Sequence, residues 1–163
     1  MAMDKHRVAL VTGGGSGIGR ALCLAFAGDG ARAVVVADVD EAGMAETAAA
    51  VELAGSRVVT VRTDVSRRAD VEALADRAWR ECGAVDVLCN NAGIALWGGL
   101  DKATHQDWEW AIGVNLWGVI HGVEAFVPRM IAQKTDGHIV NTASMAGLIA
   151  SEGLGVYNTT KYA

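Results

Sequence analysis

Short runs of apolar, β-branched residues alternate along the chain with longer segments in which apolar positions recur every three to four residues. The apolar runs predict five strands, at Arg7–Thr12, Ala33–Ala37, Arg57–Arg62, Val85–Asn90 and His138–Thr142. Most of these runs are apolar almost throughout, which is typical of parallel strands covered on both faces by helices. The alternation predicts an α/β fold with a doubly wound, Rossmann-like parallel sheet.

The segments between the strands carry helical periodicity and helix start signals. The predicted helices run from Ile18 to Gly28, from Asp40 to Gly55, from an N-cap at Ser66, and from Thr104 towards Met130. Thr104 and Asp107 have the spacing of a capping box. Because the chain shows no internal repeat and no linker, we expect residues 1–163 to form a single domain.

Composition narrows the class of protein. The 163 residues are 52% hydrophobic and include 20 glycines and one proline, which is typical of a compact globular chain and not of a disordered one. The formal net charge of −5 disfavours a nucleic-acid partner.

The three cysteines, Cys23, Cys82 and Cys89, lack a CxxC spacing, so we expect buried thiols and no zinc site or disulfide. The first apolar run is too short for a signal or membrane segment, which favours the cytoplasm and no membrane partner.

A glycine-rich turn follows the first predicted strand. It reads Thr-Gly-Gly-Gly-Ser-Gly-Ile-Gly over residues 12–19 and leads into the first predicted helix. Glycines allow a tight turn and a close backbone approach, and a helix N-terminus favours an anion, so the segment predicts a pyrophosphate site. The alternative is that the glycines serve the turn alone.

An acidic residue ends the second predicted strand. Asp38 lies nineteen positions beyond Gly19, where a carboxylate can accept hydrogen bonds from the ribose hydroxyls of adenosine. A carboxylate there repels a 2′-phosphate, which favours NAD over NADP. The alternative is that Asp38 caps the next helix, a role that Asp40 can also fill.

Several further segments occur in an order that resembles one known family. They are the glycine turn, Asp64-Val65 after strand three, Asn90-Asn91-Ala92-Gly93 after strand four, Asn115 in the fourth helix, Ser144 after strand five, and Tyr157 with Lys161. Together they are similar to the motifs of the short-chain dehydrogenase/reductase family, and the resemblance covers nearly the whole chain. It implies an oxidoreductase that moves a hydride between NAD(H) and a secondary alcohol or ketone.

The resemblance also implies a role for each polar residue. Tyr157 would be the general acid/base, and Lys161, one helical turn further on, would assist it and hold the nicotinamide ribose. Ser144 would bind the substrate oxygen, and Asn115 would hold a water in a proton relay. Taken singly, each has a plainer interpretation: a surface pair for Tyr157 and Lys161, a turn residue for Ser144, a helix kink or packing amide for Asn115.

The residues expected to bind NAD form a larger set. They are Gly13, Ser16, Gly17, Ile18, Gly19, Asp38, Asp64, Val65, Asn91, Ala92, Gly93, Tyr157 and Lys161. Hydride transfer of this kind needs no metal, and none is expected.

Two expectations concern the protein as a whole. Family members normally continue well beyond the position of Lys161, so we expect the 163 residues to belong to a longer enzyme and, alone, to bind NAD weakly and turn over poorly. The alternative is an impaired fragment or pseudoenzyme that serves as a dinucleotide-binding or interaction module. Trp108, Trp110 and Trp117 on the fourth helix suggest a homo-oligomer, a dimer or tetramer.

Overall fold

A five-stranded parallel sheet forms the centre of the computed structural model, which describes residues 5–163. Residues 1–4, which are part of the amino-terminal segment considered above, lie outside the described residues. The strands are β1 (Val8–Thr12), β2 (Ala33–Asp38), β3 (Arg57–Arg62), β4 (Val87–Asn90) and β5 (His138–Asn141). Their order across the sheet is β3-β2-β1-β4-β5, so strand order reverses between β1 and β4. The predicted α/β class and doubly wound sheet are confirmed.

Six helices of the described residues pack around the sheet, and all but the last lie between strands in the chain. They are α1 (Gly17–Gly28), α2 (Glu41–Leu53), α3 (Arg68–Cys82), α4 (His105–Ile112), α5 (Gly118–Ala132) and α6 (Gly155–Tyr162). A π-helical turn, Gly113–Trp117, joins α4 to α5, and a 3₁₀ turn, Met145–Gly147, follows β5. The predicted capping box is present, because Thr104 and Asp107 bond to each other's backbone N–H groups.

Alternate residues of β1 pack into different core layers, as the two-residue period of a strand requires. Val8 and Leu10 join a layer that includes the fully buried Phe126 of α5. Ala9 and Val11 join the layer that faces α1 and α2. All five residues of β1 are buried, which explains why its sequence is apolar without alternation.

The prediction of buried thiols is confirmed. Cys23, Cys82 and Cys89 are free and buried. Burial raises the pKa of Cys23 to about 12, with the neighbouring Cys89 adding to the effect. Burial likewise raises the pKa of Cys89 to about 11. Thiols with such values are weak nucleophiles near neutral pH, which fits a packing role.

The predicted start of the third helix was wrong. Arg67, and not Ser66, is the N-cap of α3, and its side chain makes no capping bond. Ser66 instead donates from both its backbone N and its hydroxyl to Oδ1 of Asp64, at 3.0 and 2.6 Å. This local turn competes with capping for the Ser66 hydroxyl, so the helix begins later.

One helical run among the described residues, His105–Ala132, is long and apolar enough to cross a membrane, with a mean hydropathy of 1.3. Length and composition alone do not separate a spanning helix from a core helix. In this run Phe126 and Met130 are buried in the layer between the helices and the sheet.

Candidate active site

A cleft of about 700 Å³ lies where the strands end, and it brings together residues from every βα connection of the sheet. Fourteen of the residues proposed from the sequence line it, namely Gly13, Ser16, Gly17, Ile18, Gly19, Asp38, Asp64, Val65, Asn91, Ala92, Gly93, Ser144, Tyr157 and Lys161. Asn115 is the exception. The cleft therefore coincides with the crevice that a doubly wound sheet forms where strand order reverses.

The glycine turn is tight because three chain segments meet there. Gly13 and Gly17 have φ angles of +67° and +50°, in the left-handed region that favours glycine. A Cβ atom on Gly13 would lie 2.8 Å from Cα of Ala92, and one on Gly19 would collide with the carbonyl oxygen of Gly13. Side chains at residues 13 and 19 have no room, so the turn depends on glycine for packing as well as for conformation.

The N-terminus of α1 opens onto the cleft. Ser16 occupies the N-cap, but within the described residues its side chain makes no capping hydrogen bond. Ile18, in the first turn, is 65% exposed and lines the cleft. The first-turn N–H groups of a helix lack intrahelical partners, so this end of α1 retains donors for an anion.

Asp38 has two backbone donors at the end of β2. Its Oδ2 accepts a hydrogen bond from the N–H of Gly15 at 2.9 Å, and its Oδ1 accepts one from the N–H of Asp40 at 3.0 Å. Asp40 is the N-cap of α2 and accepts from the N–H of Ala42. Because Asp40 fills the capping role, the Asp38 carboxylate is held in the cleft with lone pairs available for further donors.

The wall that carries Val65 is positioned by α5. A Cβ on Gly118 would lie 2.8 Å from Cγ2 of Val65, so the helix approaches closely only because residue 118 is glycine. His121 places Nδ1 at 2.9 Å from the carbonyl oxygen of Val65. His121 thus supports this wall of the cleft from behind.

Asn91 joins three strands under the cleft. Its Nδ2 donates to the carbonyl oxygen of Thr12 at 3.0 Å, and its Oδ1 accepts from the Thr142 hydroxyl at 3.1 Å. The Thr12 hydroxyl accepts from the N–H groups of Asn91 and Ala92, at 3.0 and 3.1 Å. These bonds fix the Asn91–Gly93 segment between the ends of β1 and β5.

Asn115 is buried in the π-helical turn, and its amide is occupied. Its Nδ2 donates to the carbonyl oxygen of Ile94 at 2.8 Å and to the Thr160 hydroxyl at 3.0 Å, while its Oδ1 accepts from the N–H of Ile94 at 2.8 Å. This side chain therefore connects the helix, the loop after β4 and α6. The expected water-holding role of Asn115 stays a prediction.

Tyr157 and Lys161 line the cleft from α6, and Ser144 lines it from the turn after β5. The Lys161 Nζ donates to the carbonyl oxygen of Thr142 at 3.0 Å and lies 5.8 Å from the centre of the Tyr157 ring. The Ser144 hydroxyl accepts from the N–H of Ala146 at 3.1 Å. Since a hydroxyl that accepts one bond keeps its own proton, Ser144 can still donate to a substrate oxygen.

Sequence reasoning missed part of the lining and the support behind it. The additional lining residues are Val39, Thr63, Ile94, Ala95, Trp110, Val114, Thr142 and Ala143. Most are immediate neighbours of the motif residues, so adjacency in sequence was the available signal. Trp110 is one turn before Val114 on the same helix face. That both residues line the cleft could be recognised only once the position of the helix beside the sheet was known.

The structure thus combines a doubly wound parallel sheet with a glycine turn after β1, an acidic residue at the end of β2, and a Tyr/Lys pair that lines the same cleft as a serine. The family model for short chain dehydrogenases matches residues 7–163. The chain belongs to this family, which is a family of oxidoreductases.

Individual relatives support the assignment. A short-chain dehydrogenase/reductase from Burkholderia phymatum, solved in complex with NAD, is 46% identical, has a TM-score of 0.95, and is matched over 99% of this chain and 57% of that one. SadH of Mycobacterium tuberculosis, which is named as an oxidoreductase, is 44% identical over 163 residues, 100% of this chain and 58% of SadH. LigO of Sphingobium, in its apo form, is 40% identical with a TM-score of 0.90, over 99% of this chain and 60% of that one. The chain thus spans less than two thirds of the length of these relatives.

Proposed function

We propose that the chain carries the cofactor site and the catalytic residues of an oxidoreductase that transfers a hydride between NAD(H) and a secondary alcohol or ketone. One observation carries the proposal: Tyr157, Lys161 and Ser144 line the same cleft as the glycine turn and Asp38. A dinucleotide held at the turn would extend towards the residues that handle the proton.

The residues present fit NAD. The cleft volume of about 700 Å³ is in the range of cofactor sites. Gly13 and Gly19 of the turn have no room for a Cβ, and the first-turn N–H groups of α1 lack intrahelical partners, so the backbone there offers donors to a phosphate. The Asp38 carboxylate favours two ribose hydroxyls and disfavours a 2′-phosphate, which supports NAD over NADP.

Ser144, Tyr157 and Lys161 would each have a separate role in the reaction. When bound, NAD supplies the carbon that accepts or returns the hydride. Ser144 donates a hydrogen bond to the substrate oxygen and holds it near Tyr157. Tyr157 takes the hydroxyl proton at its phenolic oxygen during oxidation and returns it during reduction. Lys161, anchored on the carbonyl oxygen of Thr142, keeps a positive charge beside the phenol as negative charge develops there.

The test uses the longest reading frame that contains these residues, with a panel of secondary alcohols and both NAD+ and NADP+, and follows NADH absorbance. Tyr157→Phe should lower kcat by about 10²- to 10⁴-fold, with NADH binding retained. Tyr162→Phe is the matched control, because Tyr162 is exposed on the same helix, and it should behave as the parent. A Tyr157→Phe enzyme as active as the parent would refute the mechanism. NADH binding without turnover of any substrate would favour the binding-module alternative.

The same proposal includes a homo-oligomer and a cytoplasmic location. Trp117, in the π-helical turn and outside the cleft lining, is 49% exposed, and aromatic side chains are enriched at interfaces between copies. Sizing the longest reading frame in solution tests this, and a monomer would refute it. The three free, buried cysteines are typical of proteins in a reducing compartment, which supports the cytoplasm.

A further inference from the structure

Arg20, in the first turn of α1, contacts the glycine turn from the side away from the cleft. Its Nη2 and Nε donate to the carbonyl oxygen of Gly15 at 2.6 and 3.2 Å. Nη2 also lies 3.3 Å from the carbonyl oxygen of Gly43 in α2 and 2.8 Å from the carboxylate of Glu46. Arg20 is not among the residues that line the cleft, so its contacts are with the turn and with α2.

Thr47 of α2 contacts both the glycine turn and Arg20. It is fully buried, and its hydroxyl has two acceptors within reach, the carbonyl oxygen of Gly14 at 2.9 Å and that of Gly43 in its own helix at 3.0 Å. The hydroxyl oxygen accepts a bond from Nε of Arg20 at 3.1 Å, and we assign its single proton to Gly14, the nearer acceptor. A Cβ on Gly43 would lie 2.6 Å from the carbonyl oxygen of Gly15, so a glycine at residue 43 lets α2 reach the turn. Two consecutive carbonyl oxygens of the turn are therefore held by side chains behind it.

The backbone N–H groups of Gly14 and Gly15 are also hydrogen-bonded. The N–H of Gly14 donates to the carbonyl oxygen of Ala37 at 3.1 Å, and the N–H of Gly15 donates to Asp38 at 2.9 Å. Glycine peptides rotate at low cost, because glycine accepts both signs of φ. A rotated peptide would turn a carbonyl oxygen towards the cleft, where its partial negative charge would repel a phosphate. Because hydrogen bonds hold these carbonyl groups, the peptides do not rotate, and no carbonyl oxygen faces the phosphate when it binds.

We propose that Arg20 and Thr47 are positioning residues for pyrophosphate recognition: they keep the carbonyl groups of Gly14 and Gly15 directed away from the cleft. The inference rests on the proposed function, because it assumes that the glycine turn receives the pyrophosphate. It goes beyond that function because it assigns two residues outside the cleft to cofactor binding. They order the turn before the cofactor binds, so binding does not incur the entropic cost of ordering it.

The experiment measures dissociation constants of NADH, by fluorescence, and of ADP-ribose and adenosine, by competition, for the longest reading frame. Arg20→Met removes every contact of the guanidinium. Thr47→Val removes the hydroxyl with little change in volume, and it carries the test if Arg20→Met does not fold. Glu46→Gln, at an exposed position, weakens the ion pair and leaves the contacts of Arg20 with the turn, and Thr47→Ser restores the hydroxyl. Thermal unfolding establishes that each variant is folded under the conditions of the titration.

Arg20→Met and Thr47→Val should weaken NADH and ADP-ribose by about tenfold, the equivalent of ~1.4 kcal/mol. Adenosine, which has no pyrophosphate, should bind as it does to the parent, as should all three ligands to Glu46→Gln and Thr47→Ser. Arg20→Lys should also weaken the two diphosphates, because one ammonium cannot hold both Gly15 and Thr47 in the geometry of the guanidinium.

Equal weakening of adenosine and ADP-ribose would overturn the inference, since it would show a general structural role. Unchanged binding of ADP-ribose in Arg20→Met and Thr47→Val would overturn it as well. Both results leave the proposed function standing, because the parent still binds. A folded parent that binds neither NADH nor ADP-ribose would instead refute the proposed function, and the inference with it.

Discussion

The side-chain amide of Asn158 donates a hydrogen bond of 2.7 Å to the carbonyl oxygen of Ala146. The same Nδ2 donates to Ile149 at 3.1 Å, and Oδ1 accepts from the N–H of Ser151 at 3.4 Å. Asn158 directly follows Tyr157, and Ala146 lies in the turn that Ser144 begins. One buried amide therefore couples the helix that carries the proposed acid/base to the loop that carries the proposed substrate contact.

Replacing Asn158 should loosen that coupling. Asn158→Ala leaves two carbonyl oxygens without their donor, at a cost of ~1–3 kcal/mol for buried groups. We expect faster hydrogen exchange in residues 146–151, a lower kcat/KM and an unchanged dissociation constant for NADH. Thr159→Ala is the control, because the Thr159 hydroxyl is exposed and bonds within its own helix. Unchanged exchange in residues 146–151 would contradict the assignment.

Removing the charge of Asp38 should change which cofactor is preferred. Asp38→Asn keeps a side chain of the same size but removes the repulsion of a 2′-phosphate, so binding of NADP+ should improve relative to NAD+ by about tenfold. Asp40→Asn should leave the ratio unchanged, because asparagine remains a good N-cap for α2. Titration of both cofactors into both variants provides the measurement. A parent that already prefers NADP+ would contradict the role given to Asp38.

Two glycines of α1 should respond in opposite ways to alanine. In Gly19→Ala the new Cβ would meet the carbonyl oxygen of Gly13, so the turn must move and NADH binding should be lost. Around Gly28 nothing lies within 4 Å of an added Cβ, so Gly28→Ala should be neutral or stabilise by up to ~1 kcal/mol. Thermal unfolding and NADH titration separate the two effects. Intact NADH binding by Gly19→Ala would show that the turn is not the phosphate site.

The buried thiols predict a pH dependence of stability. Burial raises the pKa of Cys23 from 9.0 to about 12, so the native thiol keeps its proton at pH values where the unfolded thiol has lost it. Its contribution to the free energy of unfolding is constant below pH 9.0 and falls as the pH rises from there towards about 12. The free energy of unfolding, measured with urea at a series of pH values, should therefore fall more steeply above pH 9.0 in the parent than in Cys23→Ala. Parallel curves would contradict the prediction.

Local patterns account for much of what could be predicted about fold and site. The five apolar runs became the five strands, with ends that moved by two residues or fewer: Val85 and Asp86 precede β4, and Asp38 joins β2. The order of motifs along the chain was enough to bring fourteen proposed residues to one cleft, because the carboxyl ends of parallel strands meet at one edge of a sheet. These features depend on periodicity and chain order, which are written in the sequence.

Other features depend on contacts between distant segments and could not be predicted. The π-helical turn at Asn115 coincides with an amide that bonds to Ile94 and Thr160, residues 21 and 45 positions away. The start of α3 shifted for a local reason, because Asp64, two residues earlier, competes for the Ser66 hydroxyl. The spacing of residues along the chain does not show which of two possible hydrogen-bond partners a polar group has in the folded protein.

By itself, the sequence determined the parallel α/β architecture, the family and the chemical groups that stand at the strand ends, since these follow from apolar periodicity and from motifs of fixed spacing. The tertiary structure alone decided how those groups are held. Arg20 and Thr47 meet behind the glycine turn, and Asn158 ties the serine loop to the tyrosine helix, only because the sheet packs α1, α2, β5 and α6 in one arrangement. The physical reason is that a hydrogen bond depends on distance and direction in space, whereas separation along the chain constrains neither once segments are far apart.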